Sequence, residues 1–261
     1  MNLDLKGRHA LVCGGSQGLG LASAKELALL GATVILVSRS AEKLSAAVQQ
    51  LDTTAGQQHT YLSVDLSDPS AAKTAVEKTL QHTPITILVN NAGGPPSGPM
   101  IETDPQELVK AVNTHLITSH VLAQLLTPGM KKAGFGRIIN IVSTSVKQPI
   151  NGLGISNTVR AAVANWAKTL ANELGEFGIT VNNVLPGFTD TDRLGYLFGK
   201  QAADQGVDKE TILNRTVATI PAKRLGQPDE FGAAVAFLCS PAAAYINGIN
   251  LPVDGGRTGS L

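Results

Sequence analysis

Seven short apolar runs, separated by stretches with helical spacing, set the first limit on what this 261-residue chain can become. They cover residues 9–13, 33–37, 60–64, 85–89, 136–143, 179–185 and 249–253. These runs are apolar on both faces, so each must be covered from two sides. Strands of that kind, joined by helices, belong in a parallel sheet layered between helices. Right-handed crossovers then leave a doubly wound α/β sheet of seven mainly parallel strands. The helices are predicted over 17–30, 41–51, 69–81, 105–130, 154–176 and 228–238, with Gly31 closing the first at the usual C-terminal glycine position. Residues 188–221 are more polar and carry mixed signals. No repeat, low-complexity tract or linker interrupts the chain, and a single domain over 1–261 is expected.

The first strand-to-helix turn, Cys13-Gly14-Gly15-Ser16-Gln17-Gly18-Leu19-Gly20, gives each of three glycines a task. Gly14 lets the chain turn sharply, Gly18 removes a side chain from a phosphate's path, and Gly20 lets helix pack on strand. Free N–H groups and the positive end of the helix would face a dinucleotide's pyrophosphate. The fold class is therefore Rossmann-like.

Composition narrows the partners. Hydrophobic residues make up 43%, charged residues 16%, and the formal net charge is +1, which describes an ordered globular chain. That balance gives no reason to expect nucleic acid or an anionic membrane surface. The opening residues contain no apolar signal core, and no run approaches the ~20 residues of a membrane span. Cys13 and Cys239 lie in separate apolar segments, fit no metal spacing and read as reduced core thiols. The expectation is a cytoplasmic protein without a metal.

In open parallel sheets ligands bind beyond the carboxyl ends of the strands. Gly14, Arg39, Asp65, Asn91, Ser143 and Pro186-Gly187 all fall just past predicted strand ends and share that rim. Each alone has a plainer reading: Asn91 as a turn former, Asp65 as a helix cap, Pro186-Gly187 as a turn. Their convergence predicts a dinucleotide site. At the end of the second strand stand Ser38 and Arg39, where an acidic residue would grip a ribose 2′-hydroxyl, so NADP(H) is predicted over NAD(H), which stays possible.

These residues carry a resemblance. Cys13-Gly14-x-x-x-Gly18-x-Gly20, Asp65, Asn90-Asn91-Ala92-Gly93, Asn113, Ser143, Pro186-Gly187 and Val253-Asp254-Gly255-Gly256 are similar to the short-chain dehydrogenase/reductase family over almost the whole chain. Within it, the chain resembles the 3-oxoacyl-(acyl-carrier-protein) reductase-like branch. The resemblance implies that Gly14, Ser16, Gln17, Gly18, Leu19 and Gly20 hold the pyrophosphate and that Asp65 and Leu66 flank the adenine. Asn91, Ala92 and Gly93 would line the adenosine ribose, and Thr189 and Thr191 would face the nicotinamide carboxamide. It further implies a small carbonyl, alcohol or acyl-thioester substrate. Two long helices would pair across a two-fold axis into a homotetramer, or a homodimer.

The departure lies in the catalytic residues. The family combines Asn and Ser with a Tyr thirteen residues after the Ser and a Lys four further on. Counting from Ser143, those places hold Ser156 and Arg160, and the following Ala-Ala-Val keeps the family pattern without a gap. Asn113 and Ser143 remain. A phenol ionises near ~10 and a lysine ammonium lowers it further, whereas a serine hydroxyl stays out of reach. Arginine stays protonated and its fork suits holding hydroxyls or phosphates. Arg160 is therefore expected on the nicotinamide ribose and Ser156 as a hydrogen-bond partner of a carbonyl.

Lys147, Tyr196 and His115 are candidates for a relocated proton donor. The plainer alternatives, solvated loop residues for the first two and a satisfied helix histidine for the third, are preferred. Three functions compete: a carbonyl reductase or alcohol dehydrogenase with an atypical proton donor and low activity on ordinary substrates; a non-catalytic NADP(H)-binding sensor or partner subunit; and an enzyme using the nucleotide site for other chemistry. The first is favoured.

Overall fold

The computed structural model describes residues 1–80 and 84–260. Its centre is a seven-stranded sheet in the order β3-β2-β1-β4-β5-β6-β7, parallel throughout. The strands are β1 (His9–Cys13), β2 (Thr33–Ser38), β3 (Thr60–Ser63), β4 (Ile87–Asn90), β5 (Gly136–Ile141), β6 (Ile179–Pro186) and β7 (Asn250–Val253). The order in which strands are added reverses between β1 and β4, the place where a parallel sheet opens a crevice at its carboxyl ends.

The helices α1 (Gly18–Leu29), α2 (Ala41–Val48), α3 (Pro69–Leu80), α4 (Pro105–Val112), α5 (Thr118–Ala133), α6 (Gly154–Leu174) and α9 (Pro228–Cys239) cover both faces. On one side, α1 and α9 bury Leu27, Phe231 and Val235 against Val12, Leu36 and Val184. On the other, α3, α5 and α6 bury Val76, Leu122 and Ala167 against Leu11, Leu88 and Val181. Among the described residues no helix is long and apolar enough to cross a membrane.

Two expectations needed adjustment. The helix foreseen over 105–130 is broken: α4 ends at Val112, Asn113–Ile117 form a π-helical turn, and α5 resumes at Thr118. The segments on either side of this turn each keep helical spacing, so periodicity read over the whole stretch does not separate them from one continuous helix. The mixed segment 188–221 forms α7 (Asp192–Gln205) and α8 (Lys209–Ala218), with Thr191 and Asp208 capping their first turns. Leu194, Phe198 and Ala202 from α7 bury against Ile212, a satellite core too small to dominate local composition. Residue 81, the foreseen end of α3, lies outside the described residues.

β4 runs on to Asn90 because the sheet carries a polar row at that level. Asn90 donates from Nδ2 to Asn140 Oδ1 (2.9 Å), Asn140 to Asn183 (2.9 Å), and Asn183 to Asn250 (2.8 Å). Each partner is the register neighbour of the last, so one ladder of amides spans β4 to β7. Buried amides are tolerated only when paired, and pairing in series satisfies them without water.

Replacing Asn140 by Ala strips the partners from Asn90 Nδ2 and Asn183 Oδ1 at once. Urea unfolding of Asn140→Ala should show a loss of about 2–4 kcal/mol, the cost of leaving two buried polar groups unmade.

Candidate functional site

The glycine turn is held against the end of β4. Gly14 has φ +59°, and a Cβ there would stand 2.6 Å from Asn91 Nδ2. Asn91 Nδ2 donates to the Gly14 carbonyl at 3.2 Å, and a Cβ on Gly20 would collide with that same carbonyl. Both positions therefore exclude any side chain, and they fix α1 with its first turn open. Gln17, at the helix N-cap, makes no capping bond and leaves the first N–H groups to a ligand. Across the cleft, the Thr191 methyl lies 3.9 Å from where a Cβ on Gly18 would sit, so the turn and the N-cap of α7 form opposing walls.

At the end of β2 the Ser38 hydroxyl is buried with no partner. Arg39 follows, and Ser40 caps α2 by accepting from Lys43 N at 3.3 Å. Lys43 Nζ donates to Gln17 Oε1 at 3.0 Å, which ties this corner to the glycine turn. Sequence reasoning missed Lys43; its place three residues after a capping serine was the available signal. Asp65 accepts from Ser67 N at 2.9 Å, and that bond, helped by the fields of Arg39 and Lys110, holds its carboxyl below the usual range. Leu66 is buried, and its carbonyl accepts from Thr118 Oγ1.

This lining fits an NADP-type nucleotide. The Gly14–Gly20 cradle suits a pyrophosphate, and the orphaned Ser38 hydroxyl beside Arg39 and Lys43 suits a 2′-phosphate.

The far half of the cleft is built from β4, β5, β6 and α6. Ser143 is the N-cap of a short 3-10 turn, and its Oγ accepts from Ser145 N at 3.1 Å. Ser156 lies half-buried in the first turn of α6, and Arg160 is one turn further along the same face. The Arg160 guanidinium donates to the Ile141 carbonyl at 2.6 Å, while its Nε is buried without an acceptor. Among the described residues no carboxylate lies within 4 Å of it. Burial pushes its pKa down to about 10, so the cation persists at neutral pH. Asn113 opens the π-helical turn, which carries His115 inward to share a small cavity with Arg160, Asn90 and Asn140.

Pro186 ends β6; Gly187 N donates to Val253 O at 3.0 Å, and a Cβ on Gly187 would strike Asp254 Cα at 2.6 Å. Thr189 is buried and bridges to Gly226, which directs the chain into α7 over the cleft.

The three candidate donors fare differently. His115 is pushed down to about 3, first by burial and then by the Arg160 charge, while its ring hydrogen bond to the Gly93 carbonyl opposes the shift. It is neutral at working pH, as a satisfied helix histidine should be. Tyr196 is 64% exposed on α7, and Lys147 is half-buried just past the 3-10 turn that Ser143 caps.

A family model described as enoyl-(acyl carrier protein) reductase matches residues 14–258. A 3-oxoacyl-(acyl-carrier-protein) reductase of Pseudomonas aeruginosa is 36% identical over 258 residues, covering 97% of this chain and 98% of that protein. A 2-dehydro-3-deoxy-D-gluconate 5-dehydrogenase of Bacillus subtilis is 36% identical over 253 residues, covering 97% and 95%. The crystal structure of L-sorbose reductase from Gluconobacter frateurii, complexed with NADPH and L-sorbose, superposes with a TM-score of 0.94 at 32% identity over all of both chains.

The His115 shift has a consequence for stability. The unfolded chain protonates this group near pH ~6.5, whereas the folded protein resists until about 3. Between those values the unfolded state binds more protons, so stability falls as pH drops through that window. From pH 7 to 5 the cost should be about 2 kcal/mol. Urea titrations of the native chain and His115→Asn at both pH values should show the slope in the first and its loss in the second.

Proposed function

The chain belongs to the short-chain dehydrogenase/reductase family, and from that membership we propose an NADPH-dependent carbonyl reductase that works with a fixed cation where its family keeps a phenol and an ammonium. It is an oxidoreductase acting on CH–OH and C=O groups, and its cofactor is NADP(H). The observation that carries the finer reading is Arg160: a buried guanidinium, one turn beyond Ser156, with no carboxylate within 4 Å among the described residues.

The cofactor supplies the hydride. Gly14, Gly18 and Gly20 would admit its pyrophosphate, and Ser38, Arg39 and Lys43 would receive the 2′-phosphate. Asp65 and Leu66 would flank the adenine, Asn91 to Gly93 the adenosine ribose, and Thr189 and Thr191 the carboxamide. Ser143 and Ser156 are suited to donate hydrogen bonds to a substrate carbonyl oxygen. Arg160 favours the negative charge that grows on that oxygen, because a buried cation acts through a low dielectric. With Ser156 and Arg160 at the places of the phenol and the ammonium, the oxygen would take its proton from water. Activity on ordinary ketones is accordingly low, since general acid catalysis is typically worth ~10²–10⁴-fold. Relatives named for acyl thioesters, sugar acids and sorbose leave an oxo or hydroxy substrate as the common chemistry.

A second copy of the chain is expected against α5 and α6. Between them runs a groove that includes His120, Lys131, Leu170 and Leu174, and Trp166 Nε1 donates to His120 Nδ1 at 3.2 Å along it. A homotetramer, or a homodimer, would cover that face. Light scattering at micromolar concentration should return a mass of four or two chains; a monomer overturns this assembly.

Rebuilding the family pair tests the proton chemistry. Ser156→Tyr combined with Arg160→Lys should raise kcat for carbonyl reduction by about 10²-fold, and each single change far less. Strong native turnover that is lost on changing Lys147 or Tyr196 would instead reveal a relocated donor.

A further inference from the structure

The satellite helix α7 has two different edges. Leu194, Phe198 and Ala202 recur at a spacing of four and pack inward against α8. Arg193, Tyr196 and Lys200 recur at three and four and share another edge. That edge is turned to the loop leaving β4. Arg193 NH2 donates to the Pro95 carbonyl at 3.3 Å, and Lys200 Nζ donates to Ser97 Oγ at 3.3 Å.

The same loop borders the reaction site at both ends. It begins at Gly93, whose carbonyl receives the His115 ring beside Arg160. It ends at Gly98, whose N–H donates to the Gly152 carbonyl at 2.7 Å and whose carbonyl accepts from Gly154 N at 3.2 Å, at the first turn of α6 that carries Ser156. The Arg193 guanidinium lies 3.4 Å from where a Cβ on Gly94 would sit, so Gly94 leaves no side chain between it and the cleft.

Neither cation is neutralised. Among the described residues no carboxylate lies within 4 Å of Arg193 or Lys200, although Asp192 and Asp204 sit on the same helix. Each donates to a neutral acceptor, and a guanidinium has five N–H donors in a fork that matches a carboxylate. Beneath the loop, Arg160 adds a third uncompensated charge.

We propose that the substrate is an oxo or hydroxy carboxylate, whose carboxylate is held at the mouth of the cleft by Arg193, with Lys200 beside it, while Ser143 and Ser156 hold its reacting oxygen. This rests on the carbonyl-reductase reading. Arg193 is the specificity-determining group: a planar fork binds a carboxylate bidentately, and a neutral analogue leaves it only its single loop carbonyl.

Two matched pairs of probes test it on the full chain with NADPH: 5-oxo-D-gluconate against L-sorbose, and acetoacetate against acetoacetamide. In each pair the acid should have a KM at least about 10-fold below its neutral partner, the worth of a charge-assisted hydrogen bond. Arg193→Ala with Lys200→Ala should close that gap to less than about 3-fold while leaving the NADPH Kd unchanged, and Arg193→Lys with native Lys200 should retain part of it. Equal KM values within both pairs, or a preference that survives in the double variant, overturn the proposal.

Calorimetric titration of the same probes into the NADP⁺ complex separates it from the reading it rests on. Arg193-dependent binding of an acid without turnover keeps the carboxylate site and removes the reductase assignment for these compounds. Failure of both acids to bind at millimolar concentration overturns the carboxylate site itself.

Discussion

Burial on both faces of the sheet is the constraint that everything else in this protein obeys. Val12, Leu36, Leu88, Ile139 and Val184 are sealed between helical layers, so no polar ligand can approach the strands from above or below. Chemistry is confined to the carboxyl rim, and the reversal of strand order between β1 and β4 opens the rim at one place. Gly14 and Gly20 are forced by the same crowding. The first turn must lie tight against Asn91, and no side chain fits between them.

Within that crevice, the electrostatics are unusual for a buried site. A charge deprived of water ordinarily needs a counter-charge, yet Arg160 has a carbonyl for a partner and a neutral imidazole for a neighbour. The arginine survives because its intrinsic basicity is high enough to absorb the burial penalty and remain charged. Histidine, starting near neutrality, cannot do so and gives up its proton. Two bases in one cavity thus end in opposite states, decided by where each began.

Most of the fold was legible in the sequence because two-sided strands and helical spacing are strong, local signals. All seven strands fall within two residues of their expected places, and Gly14, Arg39, Asp65, Asn91, Ser143 and Gly187 lie at or just past the strand ends on one rim. The π-helical turn at Asn113 escaped detection because both flanking segments keep helical spacing and a single turn between them is too short to show a period of its own. The pair α7 and α8 escaped because their shared core is four buried residues deep and their other faces are polar. Arg193 and Lys200 were invisible for the same reason: until the helix is known, a spacing of seven residues means nothing. The departure expected at positions 156 and 160 rests on counting from Ser143, whereas the setting of Arg160 depends on what packs beside it.

The asparagine ladder bears on how the chain finds this arrangement at all. β4 to β7 are joined by long connections, and parallel strands brought together across such distances are prone to pair out of step. A slip of one residue would turn an amide onto the opposite face, among apolar side chains, and break the series on both sides of it. Apolar residues exchange places cheaply; Asn140 between Asn90 and Asn183 does not. The row therefore acts as a set of alignment marks, rejecting misregistered sheets during assembly before any ligand is present to select the correct one.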